Sequence, residues 1–288
     1  MSSNKPKVIA GGALRPSAAI QMEYQSAILA LVRRMCDETK RELKQAFEDS
    51  DELAMAADAA PSAPGSPSKV GMRYRRAAPK SQAAINALMD KWVPEFGRIA
   101  RRATKRMVAR MQKNSSVTLG LSLREMSEKL KLNTDTMTEG LQDVISASTA
   151  EAVGLIKLIP QKYLTEVQGA VSRSIVNGNG LQDLVPFLNK KYDQNIRHAR
   201  NVAMDQTRKV YSGLTSARMQ AAGITEYTWV HVGGSMEPRQ RHLEMDDKVF
   251  SLAEPPVIGE MYGQKVRGKP GDLPNCRCVM RPVIKFEG

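Results

Sequence analysis

Apolar residues recur every third or fourth position through most of the first 220 residues, then alternate in short runs to the end of the chain. From Ser17 onward, Ile20, Tyr24, Ile28, Leu31, Val32 and Met35 share one helical face, which predicts a helix over 17–49 with Ser17 as its cap. Residues 55–80 are rich in Ala, Pro, Ser and Gly and carry no periodic stripe, as expected of a linker or mobile loop. Periodicity resumes near Ser81, where Ile85, Leu88, Met89, Trp92, Phe96, Ile99, Ala103, Met107 and Met111 form an apolar face. Pro94 lies within it and lacks the N–H its turn needs, which predicts a kink or interruption. Further helices are expected at about 122–131, 134–157, 161–176, 180–191 and 194–222, divided at Asn133-Thr134, Pro160 and Asn177-Gly178-Asn179-Gly180, with Gly223 ending the last.

Beyond Gly223 the period changes. Thr225 to Val232 alternates β-branched and aromatic residues and predicts a strand, and shorter strands are expected at Lys248–Ser251 and Val279–Ile284. Pro and Gly punctuate the stretches between them. The fold class is therefore mainly α with a small C-terminal α+β, loop-rich module. The expected organisation is an N-terminal helical segment (1–54), the linker (55–80), a helical body (81–222) containing a basic helix (81–113), and the small module (223–288).

Composition agrees with helices packed by small and flexible side chains, since aromatics make up 5% of the chain and Met contributes 16 residues. Charge changes the picture more. The formal net charge is +13, and the excess is concentrated: residues 69–113 carry 13 Lys and Arg against only Asp90 and Glu95. A solvated helix face usually mixes both signs, so this imbalance points to a polyanionic partner, with Arg98, Arg101, Arg102, Lys105, Arg106 and Arg110 as candidate double-stranded DNA contacts. No base-reading motif accompanies them, so any binding is expected to be independent of sequence. The bland alternative is a charged face that serves solubility.

The tail concentrates scarce chemistry. Two of the three cysteines and two of the three histidines lie between Trp229 and Cys278. His242, Cys276 and Cys278 are candidate metal ligands; zinc is the metal such a set would take, with His231 or Asp246 as a fourth ligand. The competing reading makes the cysteines small core residues and lets His242 cap a turn. His242-Leu243-Glu244 with Pro274-Asn275-Cys276-Arg277-Cys278 partly matches the zinc deaminase pattern His-x-Glu…Pro-Cys-x-x-Cys. An inserted Asn and a one-residue gap between the cysteines depart from it, and Pro282 blocks the helix that the pattern's cysteines would open. No nucleotide-binding glycine loop and no oriented nucleophile is legible, so the chain is expected not to be an enzyme. Trp92 and Trp229 are expected as core anchors. Three cysteines give no disulfide framework, and a Cys276–Cys278 disulfide would be strained, so a reducing compartment is expected. Residues 1–16 do not look like a signal peptide, and no apolar run approaches the roughly 18 residues of a membrane helix.

The tail also carries a resemblance. A long helix ends in Ala221-Ala222-Gly223-Ile224 and leads into Tyr227-Thr228-Trp229-Val230; then come Arg239-Gln240-Arg241-His242-Leu243, Asp247-Lys248-Val249-Phe250, Pro255-Pro256 and Pro274-Asn275-Cys276-Arg277-Cys278. This order resembles the phage head morphogenesis family, the minor capsid proteins similar to phage Mu protein F. The likeness extends back over about residues 140–285 through Leu155-Ile156, Gly180-Leu181 and Ala203-Met204-Asp205-Gln206-Thr207. It implies a virion protein inside the head near the portal vertex, made in the host cytoplasm. Such proteins are built in at few copies, associate with the portal protein, and influence packaging or ejection of double-stranded DNA. Major capsid or scaffold protein is a further implied partner, and no membrane is. Two rival readings stay open: a metal-dependent enzyme acting on nucleic acid, and a DNA-binding protein with no virion role.

Overall fold

The computed structural model describes residues 7–58, 69–126, 134–233, 237–261 and 263–286. In chain order they form β1 (Lys7–Ala10), α1 (Ala18–Asp58), α2 (Lys69–Met126), α3 (Glu139–Asn177), α4 (Leu181–Ala221), β2 (Glu226–Val230), α5 (Gln240–Glu244), β3 (Val249–Ser251), β4 (Val257–Met261), β5 (Gln264–Arg267) and β6 (Val279–Phe286). Four long helices and a small strand-rich C-terminal region make the fold mainly α with a small α+β part. Among the described residues no helix is long and apolar enough to cross a membrane.

The helices are longer than the sequence pattern predicts. α1 runs on through 55–58 and α2 already begins at Lys69, so the expected 55–80 linker is helical over 55–58 and 69–80; residues 59–68 lie outside the described residues. The helix expected at 122–131 is the end of α2, and residues 127–133 are not described. Pro94 does not end α2, Pro160 does not divide α3, and α4 runs through Pro186. Each proline removes one backbone bond. Trp92 and Phe96 flank Pro94, and Ile159 and Tyr163 flank Pro160, all buried, so packing on both sides holds the helical path. The α3–α4 break falls at the expected turn, where Gly178 and Gly180 adopt φ of 76° and 54°.

The chain divides into two compact units that interleave in sequence. One comprises residues 26–102 and 153–200. It is a helical body whose core includes Ile28, Val32, Met35 and Leu43 of α1, Ile85, Trp92 and Phe96 of α2, Ile156, Tyr163 and Val167 of α3, and Leu184 and Leu188 of α4. These are the positions at helical spacing, and their burial drives the association. Trp92 is an anchor of this core, with Phe96 edge-on at 6.3 Å.

The other unit comprises residues 1–25, 103–152 and 201–288. Its antiparallel sheet has the order β1-β6-β2-β3, and β4 and β5 form a separate hairpin. β6 pairs on one side with β1 (Ile9 opposite Ile284) and on the other with β2 (Trp229 opposite Met280). Pro282 is accommodated inside β6 because its carbonyl accepts from Gly11 N–H, just past the end of β1. Its nitrogen faces the same edge, so no β2 bond is lost. Gly11 and Gly12 press against the end of α2, where Ser122 Oγ donates to the Gly12 carbonyl at 2.9 Å. α4 closes with two reversed bonds, Ile224 N–H to the Met219 carbonyl (2.8 Å) and Gly223 N–H to the Gln220 carbonyl (3.0 Å), with Gly223 at φ 77°. This cap turns the chain from α4 directly into β2.

Candidate functional site

The residues of scarce type in the tail converge on one point of the second unit. His242 projects from α5, a five-residue helix held between β2 and the β4–β5 hairpin, and is 3% exposed. Its ring stands edge-on to Trp229 with centroids 5.1 Å apart. Its Nε2 lies 3.1 Å from the carbonyl of Ile258 in β4. A carbonyl only accepts, so Nε2 carries the proton and Nδ1 presents its lone pair.

That lone pair faces both thiols. Cys276 Sγ is 3.6 Å and Cys278 Sγ 3.7 Å from His242 Nδ1, and both cysteines are buried. The ligating atoms of the three residues lie within 4.8 Å of one another. Cys276 sits in a turn built for it: Asn275 adopts φ 60° and donates its N–H to the Asp205 carboxylate at 2.7 Å, and Cys276 N–H donates to the Leu273 carbonyl. Gly271, at φ 93°, directs its N–H at Cys276 Sγ at 3.4 Å. Two residues on, Cys278 leads into β6.

His231 stands beside this group. The last β2–β6 pair is Val230 opposite Val279, and one step further the register sets His231 opposite Cys278. His231 Nδ1 is 3.6 Å from Cys278 Sγ. Asp246, the other fourth ligand considered from sequence, accepts the backbone N–H of His231 at 2.7 Å. Its carboxylate positions His231 and is not among the converging groups. Glu244, the residue that would move protons in a deaminase, is exposed and also lies outside them.

The thiols differ sharply. Hydrogen bonds from the Cys278 thiol and the Gly271 N–H hold the Cys276 pKa far below the ordinary thiol value, against its burial. The neighbouring Cys276 and burial push that of Cys278 up. An open cleft borders the group, lined among others by Met204, Glu237, Arg239 and Asn275.

The basic residues of α2 form a ladder. Arg98, Arg101, Arg102, Lys105, Arg106 and Arg110 are all exposed, at the three- and four-residue spacing of one helix side. Three of them have acidic neighbours: Arg98 forks onto Glu95 (3.0 and 2.7 Å), which lowers the Glu95 pKa, while Arg106 and Arg110 both engage Glu23 of α1. Among the described residues no ion pair holds Arg101, Arg102 or Lys105. The side chains of Lys69, Arg73, Arg75 and Arg76, in the same basic window, lie outside the description. Sequence reasoning did not foresee the role of Glu23, because the contact spans 87 residues.

Residues 165–281 match the Phage Mu protein F like family. A protein of Haemophilus influenzae described as an uncharacterized protein is 34% identical over 146 residues, covering 50% of this chain and 30% of that one. This chain therefore spans about a third of that relative's length. No solved structure matches. The family is one of phage head morphogenesis proteins, in agreement with the resemblance read from the sequence. The Mu F-like segment includes His231, His242, Cys276 and Cys278 and excludes the basic ladder of α2, whose case stands on charge and exposure alone.

Proposed function

We infer that this chain is a non-catalytic minor component of a tailed-phage head, which associates with the portal protein during assembly and contacts packaged double-stranded DNA through the basic side of α2. The observation that carries the reading is the Mu F-like segment at 165–281. The net charge of +13 and the exposed ladder from Arg98 to Arg110 supply the independent support. Each phosphate met by one of these side chains releases condensed counterions, which gives affinity without base reading. The existing ion pairs do not oppose this, because exposed pairs of this kind contribute little and exchange readily for phosphate. Portal association follows the family resemblance; major capsid or scaffold protein is the second candidate partner. The inside of the head near the portal vertex is the location consistent with both contacts.

Two measurements test the reading. The purified chain should co-migrate with the portal protein of the same phage, and should bind a random-sequence duplex with affinity that falls steeply between about 50 and 200 mM salt. Mature particles free of the chain, or an absence of duplex binding at the lower salt, would overturn the corresponding half of the proposal.

A further inference from the structure

We propose that the C-terminal unit holds one zinc ion, bound by His242, Cys276 and Cys278 with His231 as the fourth ligand. Metal–sulfur bonds of about 2.3 Å and metal–nitrogen bonds of about 2.0–2.1 Å at a tetrahedral angle set the sulfur–nitrogen edge at about 3.6 Å. The three sulfur–nitrogen separations are 3.6, 3.7 and 3.6 Å. Thiol hydrogen bonds alone explain this arrangement poorly. Both sulfurs aim at the single lone pair on His242 Nδ1, which can accept from one of them; with Cys276 donating to it and Cys278 donating to His231, the 3.7 Å Cys278–His242 contact carries no hydrogen bond. An ion among His242 Nδ1 and the two sulfurs satisfies all three together, and His231, outside that three-residue cluster but against Cys278, completes the shell by turning its ring.

The surroundings are those of a metal thiolate. The Ile258 carbonyl fixes the His242 tautomer that leaves Nδ1 free, as outer partners of ligating histidines do. The Gly271 N–H points at the Cys276 sulfur. The Trp229 indole N–H is buried beside Cys278 with no oxygen or nitrogen acceptor among the described residues. Both donors suit a sulfur carrying negative charge. Asp246 holds the backbone of His231 at the end of β2, so a rotation of the imidazole brings it from the edge of the group onto the ion.

The role that follows is structural. The four ligands come from the end of β2, from α5 and from the turn into β6, so the ion ties together three separate parts of the unit. Two protein nitrogens and two sulfurs fill a tetrahedral shell, and such closed sites contribute folding energy and offer no position for an activated water.

The test uses the full chain purified without chelator from zinc-supplemented cells. Elemental analysis should give about one zinc per chain. Cobalt added to the reduced, metal-stripped protein should produce the visible bands of a tetrahedral site and a thiolate charge-transfer band. His242→Ala and Cys278→Ala should abolish both. His231→Ala should weaken zinc, measured by chelator competition, by more than about 100-fold, beyond the 10–100-fold typical of an outer partner, and should alter the cobalt spectrum. Zinc below about one-tenth equivalent together with no cobalt spectrum in wild-type protein of native circular dichroism would overturn the site, whether or not the variants fold. A wild-type cobalt spectrum and affinity in His231→Ala would overturn the fourth ligand. None of these readouts involves DNA or the portal, so they stand apart from the preceding section.

Discussion

The guanidinium of Arg218 in α4 donates through Nε to the hydroxyl of Ser115 in α2 at 3.0 Å, across 103 residues of sequence. Arg218 is 3% exposed, and it also donates to the carbonyls of Gln112 and Thr134. Burial lowers its pKa, so these acceptors compensate a desolvated charge. One side chain thereby fixes α4, α2 and the approach to α3 within the same unit. Arg218→Met keeps much of the volume and strips the acceptors of their donor; it is expected to cost about 3 kcal/mol in urea unfolding, against about 1 kcal/mol for Ser115→Ala. Equal, small losses for the two would show that the guanidinium is not the organising group.

Glycine substitutions should separate close packing from simple chain entropy. A Cβ on Gly11 would stand 2.2 Å from Ser122 Oγ and 2.8 Å from the Ser122 carbonyl oxygen, and the latter is backbone that cannot swing away. Gly11→Ala is expected to destabilise by about 1–3 kcal/mol by forcing β1 off the end of α2. Gly154, inside α3, has nothing within 4 Å of such an atom, so Gly154→Ala should stabilise by about 0.5–1 kcal/mol. Thermal melts of the two variants should move in opposite directions.

The six candidate DNA contacts of α2 should not contribute equally to DNA binding. Reversing Arg101, Arg102 and Lys105 to Glu leaves the ion pairs of the described residues intact, so the fold should be unchanged. Duplex affinity should fall, and the slope of log affinity against log salt should shrink by about 3, from the three phosphates no longer neutralised. Affinity and salt slope equal to wild type would remove these residues from the interface.

Trp229 is fully buried between His242 and Phe250, with ring centroids at 5.1 and 6.3 Å, and Trp92 belongs to the other unit. The chain has two tryptophans, so Trp92→Phe leaves one reporter beside the cysteine–histidine group. Its emission should shift red on treatment with a strong chelator as the loops loosen, and zinc should restore it. Trp229→Ala should cost about 3–5 kcal/mol through the cavity it opens, read as loss of the native near-ultraviolet circular dichroism.

Local pattern carried a good deal of this molecule. The apolar positions at helical spacing became the buried faces of α1 to α4, Gly223 became the left-handed residue that caps α4, and the alternating run around Trp229 became β2, because each depends on neighbours within a turn or two of chain. The tail's rare residues and their order were enough to indicate the Mu F-like family. Tertiary structure decided the rest. β1 escaped notice because a four-residue strand gains stability only from pairing with β6, some 270 residues away. The prolines of α2 and α3 stayed inside their helices because burial of Trp92, Phe96, Ile159 and Tyr163 outweighs single missing hydrogen bonds. His231 in place of Asp246 at the edge of the thiol group was fixed by the β2–β6 register, and Glu23 beside Arg106 and Arg110 by the packing of α1 on α2. Sequence spacing sets which residues can share a face; only long-range pairing sets which faces, and which distant side chains, come to share a site.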